Sequence, residues 1–316
     1  MNTASHESGP GRVDPGEATK ITAQVTFFAV SVALVLVVTK LVAWWVSGSV
    51  AMLASLADSL LDLVASVVTA IAVRYAGKPA DNEHRYGHGK AEAFASLAQA
   101  MLVGLSAGFL MHESGWRLYE PQPIQASQLA IGVMVFASLM TAGLVWVQTL
   151  AVRRTQSLAV QGDRAHYVSD LAANGVVIVG LVLAGPLGLG WADPIVGFAV
   201  ALWLCWTALE VGLNAYQNLM DKELPDEDRA QIAALACDDP RIIGVHRLRT
   251  RASGPFIHIQ MHMELESDLS LKTAHDIMIE AETRILKAFP AADVLIHPDP
   301  EGANIAHGSV YFRDAR

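Results

Sequence analysis

Four residues in apolar surroundings have the types and spacing of a metal site. Asp58 and Asp62 stand four apart in a stretch, Ile21 to Val73, whose only other charge is Lys40. On a helix such a pair shares one face with Cβ atoms about 6 Å apart, so the two carboxylates can grip one cation. His166 and Asp170 repeat the spacing further along the chain. Two helices carrying one pair each supply four oxygen and nitrogen ligands, the number a tetrahedral Zn²⁺ centre takes. A lone Asp near a helix end, such as Asp170, also reads as a cap or a water-facing group. The pairing on two helices favours metal, because charge at membrane depth is costly and marks function by default.

The elements that must position these residues are membrane helices. The chain has 316 residues, 53% of them hydrophobic and 17% charged, whereas soluble domains are about one quarter charged. Spans of about 20 apolar residues suffice to cross a bilayer as helices, and six are expected at 23–46, 50–73, 93–115, 124–151, 162–184 and 193–213. Residues 1–20 are polar and without an apolar core, and read as a tail rather than a cleaved leader. Gly104 and Gly108 form a small-xxx-small pair suited to close helix packing. Trp44, Trp45, Trp116 and Trp191 lie near span ends, as interfacial anchors do.

Lys and Arg alternate between loops. The 2–3 connection holds Arg74, Lys78, Arg85 and Lys90, and the 4–5 connection Arg153, Arg154 and Arg164. The 1–2 and 5–6 connections have none, and the 3–4 connection has Arg117 alone. The positive-inside rule then places both termini in the cytoplasm. The net charge of −9 argues against nucleic acid as a partner, since phosphate binding needs a cationic surface. Two cysteines, Cys205 and Cys237, are too few for a disulfide framework or a thiolate zinc cluster.

Beyond residue 216 the composition turns soluble, with acidic residues in excess. Pro225 to Ala236 reads as a helix, with Asp226, Glu227 and Asp228 at the positive end of its dipole. Val245–Arg251 and Phe256–Glu264 read as strands about a Ser253-Gly254-Pro255 turn. Leu271–Phe289 reads as a helix and Val294–Ile296 as a short third strand. The expected fold is a six-helix membrane bundle (21–215) followed by a small cytoplasmic α+β domain (216–300) and a tail (301–316). A domain of about 80 residues is marginally stable alone and is expected to dimerise or bind metal. Six of the 11 histidines fall between His246 and His307. His258 and His262 are four strand positions apart, about 13 Å, too far to ligate one ion. The loop residues Asp81, His84 and His88 also read, taken alone, as a solvated charged segment.

Ser55-Leu56-Ala57-Asp58-Ser59-Leu60-Leu61-Asp62 and His166-Tyr167-Val168-Ser169-Asp170 resemble the second- and fifth-helix signatures of the cation diffusion facilitators. The loop Pro79-Ala80-Asp81-Asn82-Glu83-His84-Arg85-Tyr86-Gly87-His88-Gly89-Lys90-Ala91-Glu92 is similar to that of the family's bacterial zinc and iron efflux branch. The resemblance, which spans about residues 25 to 300, implies a homodimer in the bacterial inner membrane with a metallochaperone-like cytoplasmic domain. It makes Asp58, Asp62, His166 and Asp170 the transport site for Zn²⁺, with Cd²⁺, Fe²⁺ and Mn²⁺ as rivals, exchanged for protons. It makes Asp81, His84 and His88 a single-metal loop site. It makes His246, His262, His275, His297 and Asp299 a binuclear zinc site, in which Pro298 offers no ligand. It places Lys90 and Asp221 in a charge network between protomers, and leaves His258 and His307 as surface residues.

Metal and protons compete for such ligands, and an ordinary histidine, with a pKa of about 6.5, suits His166 to the exchange. An intramembrane metalloprotease would need an H-E-x-x-H helix, which the sequence lacks. A metal-sensing or scaffolding membrane protein would not need the intramembrane quartet.

Overall fold

The computed structural model describes residues 9–48, 50–119, 128–184 and 192–302. Six long helices come first: α1 (Pro15–Ser47), α2 (Val50–Ala76), α3 (Ala91–Tyr119), α4 (Gln128–Thr155), α5 (Leu158–Ala184) and α6 (Ala192–Leu219). α1 packs on α2 and α4, and α3 on α6 and α5, while α5 also meets α4 and α6. Among the described residues, five of these helices, all but α5, are long and apolar enough to cross a membrane. α5 has the length, 27 residues or about 40 Å, but its first half carries Asp163, Arg164, His166 and Asp170. That half is turned inward, with Ala165, His166, Tyr167 and Ser169 buried, so its polarity is spent on the bundle interior. The exterior is the reverse: Leu105, Phe109, Leu139 and Trp146 are about 70% exposed, as suits side chains that face lipid.

α1 begins inside the stretch expected to be a tail. Asp14 caps it by accepting from the Gly16 and Glu17 amides, and Pro15 opens its first turn, where a missing N–H costs nothing. It ends at Gly48, whose φ of 61° is left-handed and whose amide closes on Trp44, a stop that glycine takes without strain. The close approach expected from Gly104 and Gly108 falls elsewhere. A Cβ at Gly104 would sit 3.8 Å from Ala208, and one at Gly108 would meet nothing within 4 Å. At Gly162 it would come within 2.8 Å of the Ser96 backbone, and at Gly197 within 2.4 Å of Ser114 Oγ. The tight crossings are thus α5 on α3 and α6 on α3. Trp45 and Trp116 are exposed near helix ends, while Trp191 and His307 lie outside the described residues.

The C-terminal domain holds α7 (Asp226–Ala236), β1 (Ile242–Ser253), β2 (Phe256–Leu265), α8 (Leu271–Ala288) and β3 (Ala292–Pro300). The sheet order is β1-β2-β3, with β1 antiparallel and β3 parallel to β2; α8 makes the crossover that a parallel pair requires. Ile232, Ile257, Ile259, Met261, Ile285 and Phe289 form its core. β1 and β3 are longer than the sequence suggested. β3 runs through Pro298 and Pro300, which an edge strand tolerates because among the described residues no strand pairs on its far side.

Residues 9–14 are docked on this domain. Gly11 C=O accepts from the Ala291 amide. Arg12 donates to Asp228 and Gln231 and lies over the Phe289 ring at 4.6 Å. At the same end of the bundle the 2–3 loop meets the β1–β2 hairpin. A Cβ on Gly89 would fall 2.0 Å from Ser253 C=O, so backbone lies directly against backbone.

Candidate metal centres

Inside the bundle, α2 and α5 bring Asp62, His166 and Asp170 together, with ligand atoms within 4.8 Å of one another. His166 Nε2 lies 3.0 Å from Asp62 Oδ1 and 3.8 Å from Asp170 Oδ2. Asp62 and His166 are 8% and 6% exposed. Asp170 Oδ2 is buried without a hydrogen-bond partner. A buried carboxylate oxygen left unpaired beside an imidazole is costly and is what a cation would satisfy. Asp58, the fourth expected ligand, stands one turn away on α2 and is exposed. It is not in the group, which among the described residues has three members.

Below this cluster lies a polar knot that i, i+4 spacing does not mark. Asp163, 1% exposed, accepts from Gln148 Nε2 at 2.7 Å, Gln99 Nε2 at 3.2 Å and Ser66 Oγ at 3.3 Å. Ser66 also bonds the Tyr167 hydroxyl at 2.7 Å. One carboxylate therefore ties α5 to α2, α3 and α4, one turn before His166. The signal in the sequence was an Asp three residues before His166, with Gln99 and Gln148 as amides deep in apolar spans.

In the 2–3 loop, Asp81 Oδ1 accepts from the His84 and Glu83 amides at 2.7 and 2.9 Å. These bonds, that from His84 foremost, hold its carboxyl below the usual carboxylate range. Its oxygens face His84 Nδ1 at 3.4 Å and His88 Nε2 at 3.2 Å. The His88 ring sits edge-on to Tyr75, and its Nδ1 is buried without a partner. The three loop residues thus converge as a metal site needs. Beside them Lys90 pairs with Asp221 at 2.8 Å within this one chain, and Arg251 joins at 3.2 Å while covering the Tyr86 ring. Burial pushes the Asp221 carboxyl up, but the Lys90 hydrogen bond and the Lys90 and Arg251 charges outweigh it and leave it below its ordinary value.

In the cytoplasmic domain the strand register lines up His246, His262 and His297, one from each strand. A bulge follows His246, with Arg247 at a φ of 51°, and bulges re-aim neighbouring side chains. Asp299, 5% exposed, holds the row. Its Oδ2 lies 3.1 Å from His246 Nε2 and 2.9 Å from His262 Nδ1, and its Oδ1 3.4 Å from His297 Nε2. Burial raises this carboxyl too, and the His262 hydrogen bond with the three histidine charges more than offsets that. A carboxylate with histidines on both oxygens has the donor set to bridge two zinc ions. His246, His262 and Asp299 form the compact group of three; His275 is exposed on α8, outside it.

His258 differs from the expected surface residue. It is 7% exposed, its Nδ1 lies 3.1 Å from Asp293 Oδ2, and its ring is edge-on to Tyr86 at 5.6 Å. It belongs to the junction with the membrane loop, which local sequence could not reveal.

The comparisons agree with this architecture. Residues 26–220 match the cation efflux transmembrane domain, and residues 224–301 match the cytoplasmic domain of cation efflux proteins. The chain is 42% identical over 295 residues to the cation-efflux pump FieF of Klebsiella pneumoniae, covering 93% of this chain and 97% of that one. It is 44% identical over 282 residues to the FieF pump of Pectobacterium carotovorum, covering 88% and 94%. The FieF pump of Salmonella arizonae is 42% identical over 283 residues, covering 89% and 93%. The two matched domains and the full-length relatives make this multi-pass membrane protein a member of the cation efflux family, the cation diffusion facilitators.

Proposed function

We propose that this protein exports a divalent metal cation from the bacterial cytoplasm across the inner membrane, Zn²⁺ before Cd²⁺, Fe²⁺ or Mn²⁺, in exchange for inward protons. The observation that carries the reading is the buried convergence of Asp62, His166 and Asp170 from two helices. Asp58 completes the shell by turning in from one helical turn away. The donor set suits Zn²⁺, which binds nitrogen and oxygen sites more tightly than Mn²⁺ or Fe²⁺ do.

Exchange with protons follows from ligand chemistry. Metal needs the carboxylates ionised and the imidazole neutral, so each proton taken up weakens the hold on the ion. Moving two positive charges outward against 100 mV costs about 4.6 kcal/mol, at about 2.3 kcal/mol per charge. One inward proton offsets half of this before its concentration gradient counts. The loop and cytoplasmic groups bind zinc that stays with the protein, and the cytoplasmic domain joins two copies into a homodimer. The test is zinc flux into proteoliposomes under an imposed pH gradient. Zinc should accumulate on the acidic side, and Asp62→Ala should abolish this while zinc binding by the cytoplasmic domain persists. Zinc movement that ignores the pH gradient would refute the proton exchange. A wild type without metal flux would leave a metal-sensing membrane protein as the reading.

A further inference from the structure

Lys40 is the one basic residue between Ile21 and Val73. It lies seven residues before the end of α1 at Ser47, about 10 Å by helical rise. A lysine so placed ordinarily extends toward the nearer membrane surface, and this one does not. Its Nζ donates to Ser59 Oγ at 2.6 Å and to Ser55 C=O at 3.1 Å. Ser59 is nine residues into α2, about 13 Å from that helix's start, and is 1% exposed. The ammonium is thus held sideways, at the depth of the metal cluster. Ser59 is the neighbour of Asp58 and three residues from Asp62. The ammonium rests on neutral oxygens although the adjacent residue on α2, Asp58, carries a carboxylate.

We propose that Lys40 is a tethered competitor of the transported cation. With metal bound, its ammonium is parked on Ser55 and Ser59. When metal leaves, the flexible side chain swings to the carboxylates, Asp58 first, so the emptied site does not keep unpaired negative charge in a low-dielectric setting. A cation that cannot dissociate from the protein aids release of the metal and is never itself transported. The inference rests on the intramembrane group being the transport site.

The test uses the full chain in proteoliposomes with Zn²⁺ as probe, reading half-saturating zinc and maximal rate separately. Lys40→Met removes a positive charge from beside a divalent site. Half-saturating zinc should fall about tenfold, and the maximal rate should fall severalfold because release is no longer assisted. Lys40→Arg keeps the charge and should remain within about twofold of wild type on both readings. Ser59→Ala removes the shorter of the two parking contacts and leaves the Ser55 C=O and the charge, so the ammonium competes more and half-saturating zinc should rise about threefold. A purely structural hydrogen bond predicts that Lys40→Met and Ser59→Ala move half-saturation in the same direction, and that result overturns the proposal. An unchanged or raised half-saturation in Lys40→Met does so too. If Lys40→Met fails to reach the membrane, Ser59→Ala decides, and no rise refutes. A wild type that carries no zinc sinks the transport reading itself, and the Lys40 inference with it.

Discussion

Replacing Asp163 by Ala should loosen the bundle and disable the metal cluster at a distance. Its carboxylate receives three hydrogen bonds, from Gln148, Gln99 and Ser66, on three different helices. Hydrogen bonds to a charged group contribute about 1.5–3 kcal/mol each in water-soluble proteins. Between membrane helices the measured mean is nearer 0.6 kcal/mol, because the unfolded state also finds partners. Three bonds therefore bracket the loss at about 2–9 kcal/mol, with the membrane value favouring the lower end. Asp163→Asn keeps the shape but turns an amide N–H₂ toward donating amides, so it should recover less than half of the loss. The assay is unfolding in mixed detergent micelles, in parallel with zinc flux in liposomes. Flux should fall by at least tenfold in Asp163→Ala, because α5 carries both His166 and Asp170 and loses its ties to α2, α3 and α4. A change below about 0.5 kcal/mol with full flux would refute the view that this carboxylate fixes α5.

Asp299→Ala should abolish zinc binding at the cytoplasmic row, since both carboxylate oxygens face histidines there; calorimetry that still finds the full zinc content would contradict this. Arg12→Ala leaves Asp228 a buried, unpaired charge and should destabilise the chain by about 3 kcal/mol, seen as a lowered thermal midpoint. Asp221→Asn removes the ties to Lys90 and Arg251. The folded carboxyl titrates below its ordinary value, so its contribution is complete above that value, about 3.9, and is lost as pH falls through the depressed one. The midpoint difference between wild type and Asp221→Asn should therefore be constant from pH 8 to 5 and shrink below pH 4. Gly89→Ala places a methyl group 2.0 Å from Ser253 C=O and must part the loop from the hairpin; flux should fall severalfold while zinc binding to the cytoplasmic row is kept.

Much of this was legible in the sequence because membrane burial writes its requirements into local composition. Apolar runs, loop charges and the i, i+4 spacing placed all six of the long helices and brought Asp62, His166 and Asp170 to attention. What escaped was long-range. Asp163 finds its partners on the helices one to three elements before it, so no spacing rule within α5 could predict them. His258 was read as surface because its companions, Tyr86 and Asp293, come from the membrane loop and from β3.

The cytoplasmic row shows the same division between local and non-local information. Period-two alternation identifies which residues share a face of β2, but not which residues of β1 and β3 stand beside them. That depends on register. Here a bulge after His246 and the parallel pairing of β3 bring His246, His262 and His297 into one line. The third strand extends past Ile296 through Pro298 and Pro300, which its edge position permits. His275 and Asp58 mark the limit on the other side. Both have the right residue type on the right element, and in the single chain both stand exposed, outside the clusters they were expected to join. Residue type and helix face set where a ligand can stand, but not which of the candidates converge, and that depends on contacts between elements.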